Sequence, residues 1–182
     1  MFHLANILTL SRIALIPLFI ATFYFPGAWG HWVGLGLFVL AGVTDFLDGY
    51  VARSQNLVSA MGRFLDPIAD KLLVAAAIIM LVAFSRINGL DVLAAVVILS
   101  REIFVSGLRE FLAELKVGVP VSQLAKWKTT VQIFALSFLI IGKAAPFGLP
   151  AADIGTALLW IAAILTIYTG YDYLRAGLKY MT

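Results

Sequence analysis

The decisive stretch is Asp45-Phe46-Leu47-Asp48-Gly49-Tyr50-Val51-Ala52-Arg53, followed eight residues later by Gly62-Arg63-Phe64-Leu65-Asp66-Pro67-Ile68-Ala69-Asp70. Its four aspartates lie in or beside apolar runs of helical length. An ionised carboxylate at membrane depth costs several kcal/mol, so something must compensate each of them. A helix turns about 100° per residue, which puts Asp45 and Asp48 on one face and Asp66 and Asp70 on one face of the next helix. If a tight hairpin joins the two helices, both pairs come to one depth and the four carboxylates converge.

The rest of the chain sets this hairpin in an apolar context. Of 182 residues, 62% are apolar and 13% aromatic, against roughly half apolar in an ordinary soluble domain. The mean hydropathy of +1.00 points the same way. The chain reads as an all-α integral membrane protein. Six runs, 5–25, 31–53, 62–84, 90–113, 124–143 and 151–176, are each near the ~20 residues that cross a ~30 Å hydrocarbon core. Short turns with Gly, Pro, Asn or polar residues separate them. The expected architecture is six transmembrane helices in a single catalytic domain over 1–182, because no length is left for a soluble domain and no repeat or linker is visible. The first eleven residues are expected to lie partly along the interface before the chain turns inward near Pro17. The first apolar run has no basic flank before it and no A-x-A-like cleavage site, and is read as a mature helix.

Charge sets the orientation. The segment 25–32 carries no Lys or Arg, and later loops on its side supply only Arg86 and Lys143. The other side collects Arg53, Arg63, Arg109, Lys116, Lys126, Lys128, Arg175 and Lys179. By the positive-inside rule the second side is cytoplasmic, together with both termini and the aspartates. Trp29, Trp32 and Trp127 fall at expected interfaces, where amphipathic rings anchor. A net charge of +3 is small for nucleic-acid binding, and none is expected. No cysteine is present, so thiol catalysis, disulfides and Cys-type zinc sites are excluded, and two histidines are too few for a His-rich metal centre.

Four converging carboxylates repel one another and need shared protons or cations. An all-oxygen ligand set favours hard ions such as Mg²⁺ or Mn²⁺. Two such ions suit phosphoryl transfer, because they neutralise a diphosphate and stabilise charge on attacking and leaving oxygens. Gly49, Ala52 and Gly62 remove side-chain bulk where a nucleotide would approach the backbone, and Arg53 offers a donor fork for a phosphate oxygen.

The spacing Asp45-x2-Asp48-Gly49-x2-Ala52-Arg53-x8-Gly62-x3-Asp66-x3-Asp70 resembles the signature of the CDP-alcohol phosphotransferase family at every defining position. The resemblance implies a six-helix membrane fold that is usually a homodimer. It also implies that Asp45, Asp48, Asp66 and Asp70 hold two divalent metals, that Gly49, Ala52 and Arg53 lie near the CDP moiety, and that Asp70 is the general base. Asn6-x2-Thr9-x2-Arg12, Arg101-Glu102 with Ser106-Gly107-Leu108-Arg109-Glu110, and Lys126-Trp127-Lys128-Thr129-Thr130 look like the phosphatidylglycerophosphate synthase branch of bacteria. That implies CDP-diacylglycerol as donor, sn-glycerol 3-phosphate as acceptor, and residence in the bacterial inner membrane among its lipids.

The flanking polar residues carry two readings each. Asn6, Thr9 and Arg12 share a helical face and are either a wall of the nucleotide site or a plain interfacial helix start. Arg101 either lines the polar cavity or pairs with a nearby acid. With Arg109, Lys126 and Lys128 it can form a cationic pocket for a phosphate monoester, whereas the lysines alone also suit membrane anchoring. Glu110 and Glu114 read as ordinary interfacial charges, and Lys71 as structural or headgroup-facing. The rival readings are a synthase with another acceptor, such as serine, inositol, inositol phosphate or phosphatidylglycerol, and an ion or metal transporter. Transport does not call for the Gly-Ala-Arg spacing, and no inverted repeat is evident. An aspartate-rich prenyltransferase keeps its acidic motifs on distant helices, and the Gly-x-Gly-Asp element of an intramembrane aspartyl protease is absent.

Overall fold

In a computed structural model the chain is described over residues 4–55, 60–117 and 122–180. The side chains of residues 4–8, 45–55, 60–64, 66 and 67 lie outside that description, although their backbone is helical. Six long helices follow one another: α1 (Leu4–Thr22), α2 (Ala28–Gln55), α3 (Ala60–Ala83), α4 (Asp91–Glu114), α5 (Gln123–Ile141) and α6 (Ala151–Leu178). Two short 3₁₀ turns, Gly142–Ala144 and Pro146–Gly148, join α5 to α6. No strand occurs among the described residues, so the chain is all-α as expected, and every helix end falls within three residues of its expected place.

One expectation is corrected. No turn or loop interrupts the chain near Pro17: α1 is one helix from Leu4 through Pro17 to Thr22. Proline removes a single N–H from the helical ladder, and in a packed helix neighbouring groups tolerate that loss.

The helices run up and down, so their ends gather at two poles. The first pole holds the α1–α2, α3–α4 and α5–α6 connections. There α1 ends at Thr22, whose hydroxyl donates to the Phe19 carbonyl at 2.6 Å, and Phe23, Tyr24 and Phe25 follow in a tighter turn with bonds to Ile20, Ala21 and Thr22. Gly27, with φ +78°, then reverses the chain. The α1–α2 hairpin is closed tightly. A Cβ on Gly30 would sit 2.5 Å from the Thr22 carbonyl oxygen, and one on Gly34 would sit 2.7 Å from the Thr22 hydroxyl. Only glycine admits that approach.

Two side chains tie the other connections to the same pole. His31 Nδ1 lies 2.8 Å from the Ile141 carbonyl and 3.1 Å from that of Ile140. Carbonyls only accept, so Nδ1 carries the proton and Nε2 accepts from Arg86 Nη2 at 3.3 Å. Arg86 also donates to the Ile140 carbonyl and stacks 4.8 Å from the Phe23 ring centroid. The orphan carbonyls at the C-terminus of α5 thereby gain donors from α2 and from the α3–α4 turn.

Between the poles α5 packs along α6, α6 along α4, and α1 against α2 and α3. Phe19, Phe38, Leu81, Ile98, Leu136 and Leu159 fill the centre and are all nearly or fully buried. A smaller cluster of Val105, Leu108, Leu112, Ala125 and Tyr173 closes the second pole. The outside is unusually apolar: Trp29, Leu93, Ile103, Phe134, Ile164 and Ile167 are all exposed. Polar Thr9, Arg12, Lys128, Gln132, Thr166 and Thr169 are buried. Among the described residues two stretches, Gln123–Ala144 and Ala151–Leu178, are long and apolar enough to cross a membrane, and Thr9–Thr22 and Ala28–Thr44 are shorter apolar helices.

Replacing Gly30 with Ala forces the α1–α2 hairpin apart and is expected to lower stability by about 1–3 kcal/mol. Thermal unfolding of the detergent-solubilised protein checks this. An unchanged midpoint would mean that the close approach at Thr22 does not constrain the hairpin.

Candidate active site

The signature segment occupies the halves of α2 and α3 that meet at the second pole, and the two helices pack against each other. The backbone is helical throughout 45–55 and 60–70. The i,i+3 and i,i+4 spacings therefore do put Asp45 with Asp48, and Asp66 with Asp70, on common helix faces. The side chains of Asp45, Asp48, Gly49, Ala52, Arg53, Gly62 and Asp66, and of Asn6, lie outside the described residues. Among the described residues no three His, Cys, Asp or Glu side chains gather, which says nothing of that segment. By its chemistry the donor set fits divalent ions, since four aspartates supply hard oxygens at helical spacings of three and four.

Asp70 is described, and it links the segment to the other half of the bundle. It is half-buried, and its charge acts on the ammonium of Lys128 from α5. Lys128 is 2% exposed. Its Nζ is bonded to Glu102 Oε1 of α4. The same oxygen accepts from Arg101 Nη1 at 3.3 Å. Arg101 Nη2 in turn donates to the Thr169 hydroxyl of α6 at 3.1 Å, and its guanidinium lies 5.7 Å from the Tyr173 ring centroid. α6 comes close enough for this because Gly170 sits against the Arg101 stem, where a Cβ would be 3.1 Å from Cγ. One carboxylate thus joins two cations from two helices, and a third helix holds the arrangement from behind.

Beside this cluster opens a polar cavity of about 240 Å³, lined by Lys71, Arg101, Glu102, Ser106, Arg109 and Glu110. A larger apolar groove of about 540 Å³ adjoins it between α3 and α4, with Ile68, Leu72, Leu99 and Ile103 on its walls. Lys71, Glu102, Ser106 and Glu110 belong to both. The polar interior continues past Lys128. Gln132 Oε1, Thr166 Oγ1 and Arg101 Nε are buried without a hydrogen-bond partner among the described residues.

Of the cations expected to form the acceptor pocket, Arg101, Arg109 and Lys128 come together here. Lys126 does not. It stands about 200° round the helix from Lys128 and is exposed. Both readings of Arg101 hold, since it lines the cavity and pairs with an acid. Thr9 and Arg12 are buried, at 0% and 1% exposure, so the face they share points into the bundle rather than to an interface. Lys71, read as structural or headgroup-facing, and Glu110, read as an interfacial charge, both line the cavity.

The residues that sequence reasoning missed are Glu102, as the joint between Arg101 and Lys128, and Thr169 with Tyr173 behind it. One signal was available for the first. An apolar helix pair carrying Arg101-Glu102 on one member and Lys128 on the other has a charge to balance, and burial forces the balance to be local. Nothing in the sequence singles out Thr169.

Comparison with known proteins gives the family. The sequence profile of the CDP-alcohol phosphatidyltransferase family matches residues 2–168. A protein of Rickettsia bellii (strain RML369-C) named CDP-diacylglycerol–glycerol-3-phosphate 3-phosphatidyltransferase is 53% identical over 178 residues, 98% of this chain and 97% of its own. The Bacillus subtilis (strain 168) protein of the same name is 43% identical, covering 95% and 94%. An Arabidopsis thaliana protein, number 2 of that name, is 39% identical and covers 94% and 78%. With a signature segment on two packed helices and a family match over nearly its whole length, this chain belongs to the CDP-alcohol phosphatidyltransferase family.

Proposed function

We propose that this enzyme transfers the phosphatidyl group of CDP-diacylglycerol to sn-glycerol 3-phosphate, giving phosphatidylglycerophosphate and CMP. The observation that carries the acceptor is the cationic cavity beside Asp70. Lys71, Arg101, Arg109 and Lys128 stand there against Glu102, Glu110 and Asp70, an excess of one positive charge. A phosphate monoester carries close to two negative charges at neutral pH. Serine or inositol would leave that excess unmatched.

The family uses divalent metal ions. In this chain Asp45, Asp48, Asp66 and Asp70 would hold two of them, Mg²⁺ or Mn²⁺, which when bound neutralise the diphosphate and stabilise the leaving CMP. Arg101, Arg109 and Lys128 grip the acceptor phosphate with charge-assisted hydrogen bonds and aim its free hydroxyl at Asp70. Asp70 takes the hydroxyl proton. The oxygen so freed attacks the lipid-side phosphorus, and the bond from that phosphorus to the CMP oxygen breaks. Gly49, Ala52, Arg53 and Gly62, with Asn6 and Thr9, form the nucleotide's side of the site. The apolar groove between α3 and α4 suits acyl chains of the donor, because it meets the polar cavity along a shared wall.

The same reading makes the chain one catalytic domain over 1–182, with six membrane-crossing helices, assembled as a homodimer in a bacterial cytoplasmic membrane. The membrane part of it is supported by the apolar exterior, where large hydrophobic side chains stand exposed all round the bundle. The pole with Asp70 also bears Arg109, Lys116, Lys126, Arg175 and Lys179, so that pole and both termini face the cytoplasm.

Purified protein given CDP-diacylglycerol and Mg²⁺ or Mn²⁺ should release CMP with glycerol 3-phosphate and not with serine, inositol or inositol phosphate. Release with another acceptor alone would overturn the acceptor and leave the reaction class standing. Asp70→Asn should lower kcat at least about a hundredfold while the protein stays folded, and wild-type turnover would remove its role as base. Arg109→Ala should raise KM for glycerol 3-phosphate about tenfold. An effect confined to the KM of the liponucleotide would mean that the cavity belongs to the donor.

A further inference from the structure

We infer that Glu102 is a stand-in for the acceptor's phosphate: in the acceptor-free enzyme its carboxylate occupies the anion seat between Lys128 and Arg101, and the incoming phosphate displaces it. The inference rests on the reading of those two cations as acceptor-phosphate residues.

Three features of the site support it. A buried ammonium needs an anion at all times, and the Lys128 side chain is only 3% exposed. Glu102 supplies that anion through a single oxygen, Oε1, which takes both Lys128 Nζ and Arg101 Nη1. A phosphate presents the same bridging oxygen with more charge. Arg101, for its part, is held independently by Thr169 and lies over Tyr173, so it keeps its place when the carboxylate leaves. Glu102 also has somewhere to go. Its side chain is 15% exposed and borders both the polar cavity and the groove.

This exchange makes Glu102 a specificity-determining residue. A phosphorylated alcohol brings enough charge to take Lys128 from Glu102. A neutral polyol does not, and finds both cations already satisfied.

The test uses the full-length protein in detergent, with inorganic phosphate as probe. Its affinity is read by ³¹P NMR titration and as a competitive Ki against glycerol 3-phosphate. With the internal anion removed, Glu102→Gln should bind inorganic phosphate about tenfold more tightly and show a lower KM for glycerol 3-phosphate without a rise in kcat. If Glu102 were only a structural strut, its loss would disorder Lys128 and phosphate binding would weaken. Unchanged or weaker binding in a folded Glu102→Gln variant therefore overturns the inference. Lys128→Met introduced beside Glu102→Gln should abolish the gain, and a gain that survives places the phosphate elsewhere and overturns it too. Should Glu102→Gln fail to fold, Glu102→Asp carries the test. Shortening the arm by one methylene loosens its hold on Lys128 and should tighten phosphate about threefold, and no tightening counts against the proposal. The phosphate titration needs no turnover, so it stays decisive even if the wild type releases no CMP with glycerol 3-phosphate, a result that would sink only the proposed reaction.

Discussion

A charge buried in an apolar bundle has to meet its counter-charge inside that bundle, and here the meeting place is the carboxylate of Glu102. Lys128 reaches it from α5, and Arg101, its neighbour on α4, shares the same oxygen. The fork of Arg101 then extends to Thr169 on α6. These bonds have little slack. Moving α5 by the rise of one residue, about 1.5 Å, would strain the bond of Lys128 to Glu102, and moving α6 as far would strain that of Arg101 to Thr169. The ion cluster therefore fixes the relative depth of the last three helices, and the apolar core of Ile98, Leu136 and Leu159 packs to suit.

The two poles are finished differently, and the difference bears on what each does. At the first, donors from His31 and Arg86 cap main-chain carbonyls of α5, and Gly30 and Gly34 let α2 touch the end of α1. Groups there are spent on closing the backbone. At the second, the cations of Arg101 and Lys128 are balanced by a side chain, which can exchange partners where a carbonyl in a helix cannot. Rigidity at one end and exchangeable charge at the other suit a bundle that binds and releases an anionic substrate at a single pole.

The helices are legible because hydropathy, length and turn residues repeat six times in one pattern, and the family is legible because eight residues of its signature stand at fixed spacings between Asp45 and Asp70. The interior is less so. Which helix faces which depends on rotation and depth, and a sequence read one helix at a time carries neither. Arg101 reads in sequence either as a cavity wall or as the partner of an acid, and that acid is its own neighbour, shared with a lysine 26 residues away. Lys126 and Lys128 looked equivalent on paper, and helical phase sends one to the surface and the other to the core. Pro17 suggested a turn that packing overrides.

The shared wall of the two cavities bears on how a lipid and a water-soluble ester meet. Lys71, Glu102, Ser106 and Glu110 face both the polar cavity and the apolar groove, and Gly107 follows Ser106 on the groove side. At that place α4 presents a hydroxymethyl and a hydrogen, the least bulk available, between a space suited to acyl chains and one suited to a phosphate. A donor lying in the groove would hold its phosphorus at the end of the wall, where Asp70 and the cations converge, without leaving the lipid. The acceptor would enter from water through the charged mouth. Neither substrate would then have to cross into the other's solvent.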